Sequence, residues 1–241
     1  MTFFLHFAHL FVPLTCSLKY FHSEMKRKTS FPFAFRSFIR TFVNENPFLI
    51  VTKMKVYVFL ANGFEDIEAL IPVDVLRRGG VEVVTVSAVD GSQIVESAHG
   101  VQIVADALFD ECDFSDADLL LLPGGMPGAS NLYEHAGVCE AVLNQHRQGR
   151  RIAAICAAPA VVLAQLGVLD GRRATCYPGF EQLLSKADYT GDLVTVDGHI
   201  TTAEGPAAAL PFAYKLLGQL ADKSTARQVA VGMRFVHLME G

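Results

Sequence analysis

The chain has 241 residues, of which 51% are hydrophobic and 19% charged, and this composition excludes a disordered or fibrous protein. Its net charge of −5 is uneven, because residues 1–53 hold seven Lys and Arg against two acidic residues and the remainder carries about −10 by the same count. A body this acidic argues against nucleic acid as a partner, since phosphate binding needs clustered Lys and Arg.

Residues 1–53 differ from the rest of the chain, since they hold 11 of the 18 Phe and show no alternation of strand and helix patterns. Three interpretations are open: mistranslated sequence upstream of a native start at Met54, a signal peptide with residues 3–18 as its apolar core, or a membrane-touching extension. A signal peptide would require Lys or Arg before its apolar core, and none precedes Lys19. Pro13 leaves the apolar run too short to span a bilayer comfortably. We favour the wrong start, leave this segment out of the fold, and expect no membrane partner.

From Met54 onward, short apolar runs alternate with helical patterns. The apolar run at 118–122 has no polar alternation, which is typical of a parallel strand buried on both faces. We predict strands at 55–60, 81–86, 118–122, 151–155, 173–176 and within 193–203, a β excursion at 92–104, and helices at 66–78, 134–148, 157–166, 206–220 and 224–232. This order predicts one α/β domain over 54–241, a mostly parallel sheet with helices on both faces, whose ligands bind beyond the carboxyl ends of the strands.

The cysteines point to free thiols. No two of them have CxxC spacing, so neither a zinc ribbon nor a thioredoxin-type pair is indicated, and we predict no metal. A domain of this size needs no disulfide framework, and a reducing cytosol is the expected compartment. The five are Cys16, Cys112, Cys139, Cys156 and Cys176.

Cys156 follows a predicted strand directly and opens a predicted helix. Ala154 and Ala158 stand two residues before and two after it, where a nucleophile elbow needs small side chains. Unpaired N–H groups at the start of a helix stabilise a thiolate, so we expect a low pKa for this thiol. The alternative is a buried structural cysteine; the elbow spacing favours the reactive thiol.

Two further features follow predicted strands. Glu68 lies one turn into the first helix, beside apolar residues, and could point inward as a functional acid or outward as an ordinary first-turn carboxylate. Gly124 and Gly125 follow the 118–122 strand and predict either an oxyanion hole made of backbone N–H groups or an ordinary tight turn. The residues alone leave these alternatives open.

Five sequence blocks in order resemble the ThiJ/PfpI superfamily, and within it the DJ-one branch, which includes the Parkinson-disease-associated protein deglycase. The resemblance covers 54–241 and none of 1–53. The blocks are GFEDIEA at 63–69, IPVDVLRR at 71–78, LPGG at 122–125, AAICAAP at 153–159 and EGP at 204–206.

The resemblance implies a flavodoxin-like three-layer sandwich and a homodimer formed partly through the first helix. It implies that Cys156 is the nucleophilic or oxidisable cysteine and that Glu68 is a buried, protonated acid bonded to its sulfur. It further implies an oxyanion site at the backbone of Gly124, Gly125 and Ala157. No metal or organic cofactor is implied.

The chain departs from the family pattern at three possible pocket residues. Tyr177 stands where the branch often has His, and a phenol is a poor base near neutral pH. Glu204 replaces an Arg or Gln, and His99 lies where relatives have a nearby Arg. Ala157 replaces the His that follows the cysteine in the peptidase branch, which counts against a peptidase. No thiazole- or phosphate-specific motif supports thiazole-phosphate biosynthesis.

These features together predict a cytoplasmic, cysteine-dependent and cofactor-free enzyme. Its expected activity is that of a glutathione-independent glyoxalase or protein deglycase, acting on small 2-oxoaldehydes or their protein adducts, with a role in carbonyl and oxidative stress. The alternative is a redox sensor or chaperone that uses oxidation of Cys156.

Overall fold

The computed structural model describes residues 53–235. The three interpretations of the segment before Met54 concern residues outside this range, so the boundary at Met54 stays a prediction. The strands are β1 (Lys55–Leu60), β2 (Glu82–Ser87), β3 (Ile94–Glu96), β4 (Gln102–Val104), β5 (Ala107–Leu108), β6 (Leu119–Leu122), β7 (Arg151–Ile155), β8 (Arg173–Ala174), β9 (Asp188–Tyr189), β10 (Val194–Asp197) and β11 (Ile200–Ala203). The α-helices are α1 (Asp66–Arg78), α2 (Gly128–Glu134), α3 (Ala136–Arg147), α4 (Ala209–Leu220) and α5 (Lys223–Gly232).

The main sheet has seven strands in the order β10-β11-β7-β6-β1-β2-β5. Its pairs are parallel apart from β10 with β11, which form an antiparallel hairpin at one edge. In the centre, Val58 of β1 pairs with Thr85 on one side and Leu121 on the other. The predicted α/β fold with a mostly parallel sheet is confirmed.

The helices cover both faces of this sheet. The chain moves from β1 through α1 to β2 in one direction and from β6 through α2 and α3 to β7 in the other. Because such crossovers are right-handed, opposite directions put their helices on opposite faces. Helix α1 packs against α4 on one face, and α3 packs against β7 on the other. The result is the three-layer sandwich that the resemblance implied.

The central strands are buried from end to end. All four leucines of β6 are at most 1% exposed, and residues 152–155 of β7 are 0% exposed. Each fully buried aliphatic side chain of this size stabilises the fold by about 1.5–3 kcal/mol. This explains the apolar runs of the sequence, and it makes the strand ends a rigid platform for the loops that follow.

Three elements differ from the sequence-based prediction. The helix expected at 157–166 is present as a π-helical segment at Pro159–Ala164, a wider turn that recurs near functional sites. Helix α2 was missed, because its Gly-, Ser- and Asn-containing sequence has the composition of a loop. The strand expected at 173–176 is shortened to β8, which pairs with β9 outside the main sheet. No helix within residues 53–235 is both long and apolar enough to cross a membrane.

Candidate active site

Three loops meet at the carboxyl ends of β1, β6 and β7. The strand order reverses between β1 and β6, the position where open α/β sheets form their ligand crevice. Glu68 comes from the first turn of α1, Gly124 and Gly125 follow β6, and Cys156 follows β7. A Cβ atom built on Gly124 would lie 2.6 Å from both Cys156 Cβ and Glu68 Oε2, so the three residues share one small space. The structure therefore brings together the principal residues that the sequence singled out.

Cys156 occupies a strained elbow. Its φ is +65°, in the left-handed region that non-glycine residues rarely adopt, and it is 8% exposed. Its N–H donates to the Ala203 carbonyl at 2.9 Å, and its carbonyl accepts from the Tyr177 N–H at 2.9 Å. Ala154 and Ala158 beside it are fully buried. The backbone bonds on both sides hold the strained conformation and fix the direction of the side chain.

Glu68 is fully buried, at 0% exposure. Its Oε2 accepts a hydrogen bond of 2.9 Å from the Gly124 N–H. Its Oε1 is buried without a well-aligned partner, and the interaction that remains for the carboxyl is with the Cys156 thiol. Burial raises the pKa of Glu68 to about 7, against the opposing effect of hydrogen bonding to Cys156 and Gly124. The carboxyl is thus near half protonation at neutral pH.

The Cys156 thiol is a weak acid while Glu68 is ionised. Burial, followed by the charge and hydrogen bond of Glu68, raises the pKa of Cys156 to about 12. The backbone N–H groups of Gly125 and Ala157 oppose this rise through hydrogen bonds to the sulfur. The predicted low pKa is therefore wrong for this state, because burial and a neighbouring carboxylate outweigh the helix end. Thiol and carboxyl titrate as a pair, and the first proton leaves near neutral pH.

The backbone donors are divided between two tasks. The Gly124 N–H is occupied by Glu68, so it is not the free oxyanion donor that was predicted. The N–H groups of Gly125 and Ala157 face the sulfur instead. Gly125 has a φ of +86°, and a Cβ there would collide with the backbone of Glu65 and Phe64. Only glycine fits at this point of the site.

Of the three predicted pocket residues, Tyr177 and Glu204 lie near Cys156, whereas His99 makes its contacts elsewhere. Tyr177 is bonded through its backbone to Cys156, and its 44% exposed side chain lies against Gly205, next to Glu204 at the end of β11. His99 is an exposed side chain whose Nδ1 lies 2.6 Å from Asp66 Oδ2, and this hydrogen bond raises the pKa of His99. Among the hydrogen bonds of residues 53–235, none joins His99 to Cys156 or Glu68.

Sequence reasoning missed the part played by Glu65. Its Oε2 accepts a hydrogen bond of 2.8 Å from the Glu68 N–H and caps α1, and its charge adds to the rise in the pKa of Glu68. The spacing of three residues is that of a capping box, but the usual first residue is Ser or Thr, so Glu65 gives only a weak signal for such a cap. Glu65, Asp66 and His99 are the one group of three His, Cys, Asp or Glu in residues 53–235 whose ligand atoms lie within 4.8 Å of one another. Their side chains already serve as a helix cap and an ion pair.

The fold and site define a class: an α/β protein with a buried cysteine–carboxyl pair at a strand-end crevice. The family model of the DJ-1/PfpI family matches residues 54–219, and the chain belongs to this family. The resemblance to the ThiJ/PfpI superfamily is thereby confirmed.

Curated relatives agree with this assignment. The chain is 40% identical over 194 residues to Protein DJ-1 homolog B of Arabidopsis thaliana, covering 78% of this chain but 44% of that protein, less than half its length. It is 39% identical to Protein dj-1beta of Drosophila melanogaster, over 73% of this chain and 94% of the relative. It is 33% identical to the Glutathione-independent glyoxalase DJR-1.2 of Caenorhabditis elegans, over 65% of this chain and 82% of the relative.

Solved structures share the fold. The crystal structure of Drosophila melanogaster DJ-1beta superimposes with a TM-score of 0.72 at 36% identity, over 76% of this chain and 98% of that one. A structure of oxidised Toxoplasma gondii DJ-1 superimposes with a TM-score of 0.71 at 38% identity, over 75% and 97% of the two chains. These sequence identities are higher than those of proteins that share only a fold, so the structural comparison supports both the three-layer sandwich and the family.

Proposed function

We propose that the protein is a cysteine-dependent, cofactor-free glyoxalase or deglycase that converts small 2-oxoaldehydes, or their adducts on proteins, to hydroxy acids. The observation that supports this most directly is the pairing of a buried thiol with a carboxyl whose pKa is about 7, beside two backbone N–H donors. Isomerising an oxoaldehyde needs a nucleophile, a group that moves protons near neutral pH, and donors for an oxyanion.

The first step is addition of sulfur to the aldehyde. The proton of the Cys156 thiol passes to the Glu68 carboxylate, so a thiolate forms inside the site without loss of a proton to solvent. The thiolate sulfur bonds to the aldehyde carbon, and the carbonyl electron pair moves to oxygen. The N–H groups of Gly125 and Ala157 stabilise this alkoxide, and Glu68 returns the proton to give a hemithioacetal.

The second step moves hydrogen between carbons. The Glu68 carboxylate takes the proton from the former aldehyde carbon, and the electrons form an enediolate with its charge on the former ketone oxygen. The hydroxyl proton moves from the former aldehyde oxygen to this oxygen, and Glu68 returns its own proton to the neighbouring carbon. The product is a thioester on Cys156, which water hydrolyses to the hydroxy acid and the free thiol. Methylglyoxal plus water would give lactate, with no oxidant or reductant consumed. Acid–base catalysis of this kind contributes about 10²–10⁴-fold.

The relative from Caenorhabditis elegans is named a glutathione-independent glyoxalase, which favours this reaction class over others in the family. Each turnover begins and ends with the free Cys156 thiol, so we extend the proposal to a reducing compartment such as the cytosol. Tyr177 and Glu204 line the approach to Cys156 in this proposal and contact the remainder of the substrate.

Turnover of methylglyoxal by the full chain tests the proposal. We expect Cys156→Ala to lower kcat/KM by at least about 100-fold, because the nucleophile is lost. Cys176→Ala is the matched control, since Cys176 is also buried but lies in ordinary backbone conformation. Equal formation of lactate by wild type and Cys156→Ala would sink the enzymatic proposal.

A redox sensor is the second candidate. The N–H groups of Gly125 and Ala157 that face the sulfur would also stabilise a sulfinate, and a structural relative has been solved as an oxidised form. Dilute peroxide with intact-mass measurement separates the two functions. A gain of about 32 Da, two oxygen atoms, that is lost in Cys156→Ala and occurs in a protein without aldehyde turnover favours the sensor.

We also propose that the chain forms a homodimer through α1. Ile67 and Leu70 at the start of this helix are 44% and 39% exposed, although both are large apolar residues. Exposed apolar side chains next to each other on a helix are typical of an interface. Light scattering coupled to size exclusion measures the mass directly, and a monomeric mass at micromolar concentration would contradict the dimer.

A further inference from the structure

Two histidines form a close pair at the amino-terminal edge of the sheet. His146 lies in the last turn of α3, and His199 lies in the turn between β10 and β11. His199 Nε2 stands 3.1 Å from His146 Nδ1, and the ring centroids are 5.1 Å apart. The His199 carbonyl accepts from the N–H of Ile152 in β7. The pair is therefore at the end of β7 opposite to Cys156, and the proposed reaction does not use it.

The pair is unusual in its geometry. Both side chains are half-buried, and their ring nitrogens face each other, whereas the other histidines of residues 53–235 lie apart. A hydrogen bond between two ring nitrogens requires that at least one of the imidazoles is neutral. Neutral imidazole is the form that coordinates divalent transition metals.

We propose that His146 Nδ1 and His199 Nε2 chelate one divalent transition-metal ion of the type that prefers imidazole, such as Ni²⁺, Cu²⁺ or Zn²⁺. Metal–nitrogen bonds of about 2.0–2.1 Å place neighbouring ligand nitrogens roughly 3 Å apart, which is their present separation. The ring that now donates the hydrogen bond shifts to its other tautomer, so both lone pairs face the ion. Water completes the coordination.

The positive charges near the pair are partly compensated. The guanidinium of Arg172 is paired with Asp197 at 3.6 Å, and Arg150 and Arg151 line the neighbouring cleft together with Asp118. His146 belongs to the carbonyl end of α3, where the helix dipole favours a cation. A solvent-open cleft beside His199 gives an ion and its waters a way in. Its lining residues are Asp118, Gly149, Arg150, Arg151, Gly198 and His199.

An ion at this place would join two elements that are distant in sequence. His146 and His199 are 53 residues apart, on α3 and on the hairpin that forms the edge of the sheet. Because only the folded chain brings the two nitrogens together, binding stabilises the native state by an amount that rises with the logarithm of the ion concentration above the dissociation constant. Cys156 lies at the other end of β7 and keeps its chemistry.

Thermal unfolding of the full, untagged chain with Ni²⁺ tests the site. Ni²⁺ is the probe because it suits imidazole and competes less for the thiols than softer ions do. At about 100 times the dissociation constant, the midpoint of unfolding should rise by roughly 5–10 °C. Calorimetric titration should give one ion per chain, and His146→Asn and His199→Asn should each weaken binding at least about 10-fold.

Two controls make the result decisive. His99→Asn removes the histidine of the Glu65, Asp66 and His99 group and should leave Ni²⁺ affinity unchanged. Methylglyoxal turnover is measured in parallel, and it should be the same with and without Ni²⁺ and in both histidine variants. Undiminished affinity in the His146→Asn/His199→Asn double variant, loss of binding in His99→Asn, or no shift in the wild-type midpoint would each overturn the inference.

Discussion

Replacing Glu68 by Gln should remove a pH dependence of stability that the wild-type protein carries. Glu68 is fully buried, and its pKa is raised by burial from 4.5 to about 7. The amide oxygen of Gln can still accept the hydrogen bond from the Gly124 N–H, and the volume of the side chain is unchanged. The substitution therefore removes the charge and little else.

The sign follows from proton binding. The folded state holds the Glu68 proton more tightly than the unfolded state, so the contribution of Glu68 to the free energy of unfolding is fully present below pH 4.5 and is lost as the pH rises through 7. The difference between the two pKa values corresponds to about 3 kcal/mol, since each pKa unit is 1.36 kcal/mol. A loss of that size is a large part of the stability of a single domain.

Urea unfolding at pH 5 and pH 8 measures the effect. Wild type should lose about 2.5 kcal/mol more than Glu68→Gln between these two pH values, so the variant gains relative stability at pH 8. Glu140→Gln, which removes an exposed acid of α3, serves as the matched control and should follow wild type. If Glu68→Gln and wild type change in parallel with pH, Glu68 is not a buried, protonated acid and the proposed proton transfer loses its basis.

Three further substitutions have definite expected outcomes. Gly124→Ala places a Cβ 2.6 Å from Cys156 Cβ and Glu68 Oε2. It should lower the free energy of unfolding in urea by about 1–3 kcal/mol and abolish methylglyoxal turnover. In the control variant Gly232→Ala, the added Cβ meets no atom within 4 Å, and neither effect is expected. Tyr177→Phe should change kcat/KM less than about threefold, because the link of Tyr177 to Cys156 runs through its backbone; a 100-fold loss would make the phenol a participant. Ile67→Glu should shift the mass in light scattering from dimer to monomer while the monomer stays folded by circular dichroism, and a persisting dimer would move the interface away from α1.

Much of the fold could be predicted because the hydrophobic periodicity of each segment agrees with the residues that begin and end it. The bounds of β1 and β7 are those expected, since each is a short apolar run between polar residues. Helix α1 also has its expected bounds, because acids open it, a glycine pair closes it, and Gly80 adopts a φ of +83°. In each case the local signal and the tertiary role coincide, so a sequence pattern is enough.

The features that could not be predicted depend on contacts with residues that are distant in sequence. Helix α2 has a weak local pattern and forms against the π-helical segment Pro159–Ala164, a contact that no window of sequence contains. The assignment of the Gly124 N–H to Glu68 joins atoms 56 residues apart. The pKa of a thiol depends on its burial and on nearby charges, and the elbow pattern around Cys156 reports neither. The positions of Cys156 and Glu68 could therefore be predicted from the sequence, but the protonation state of the pair could not.

The raised pKa of Cys156 changes how its reactivity has to be understood. A thiol whose pKa is about 12 beside an ionised Glu68 offers almost no thiolate by releasing its proton to water. The same carboxylate has a raised pKa of about 7, so it is a stronger base than a solvent-exposed glutamate and lies where it can receive that proton. Transfer from sulfur to carboxyl also removes the negative charge that opposes the thiolate and leaves the N–H groups of Gly125 and Ala157 to stabilise it. One proton transfer thus gives the site both a nucleophile and an acid. Glu68→Gln should lower the pKa of the Cys156 thiol, because the negative charge is gone, and should still lose turnover, because an amide cannot carry the proton. That combination separates the acid–base role of Glu68 from a purely electrostatic one.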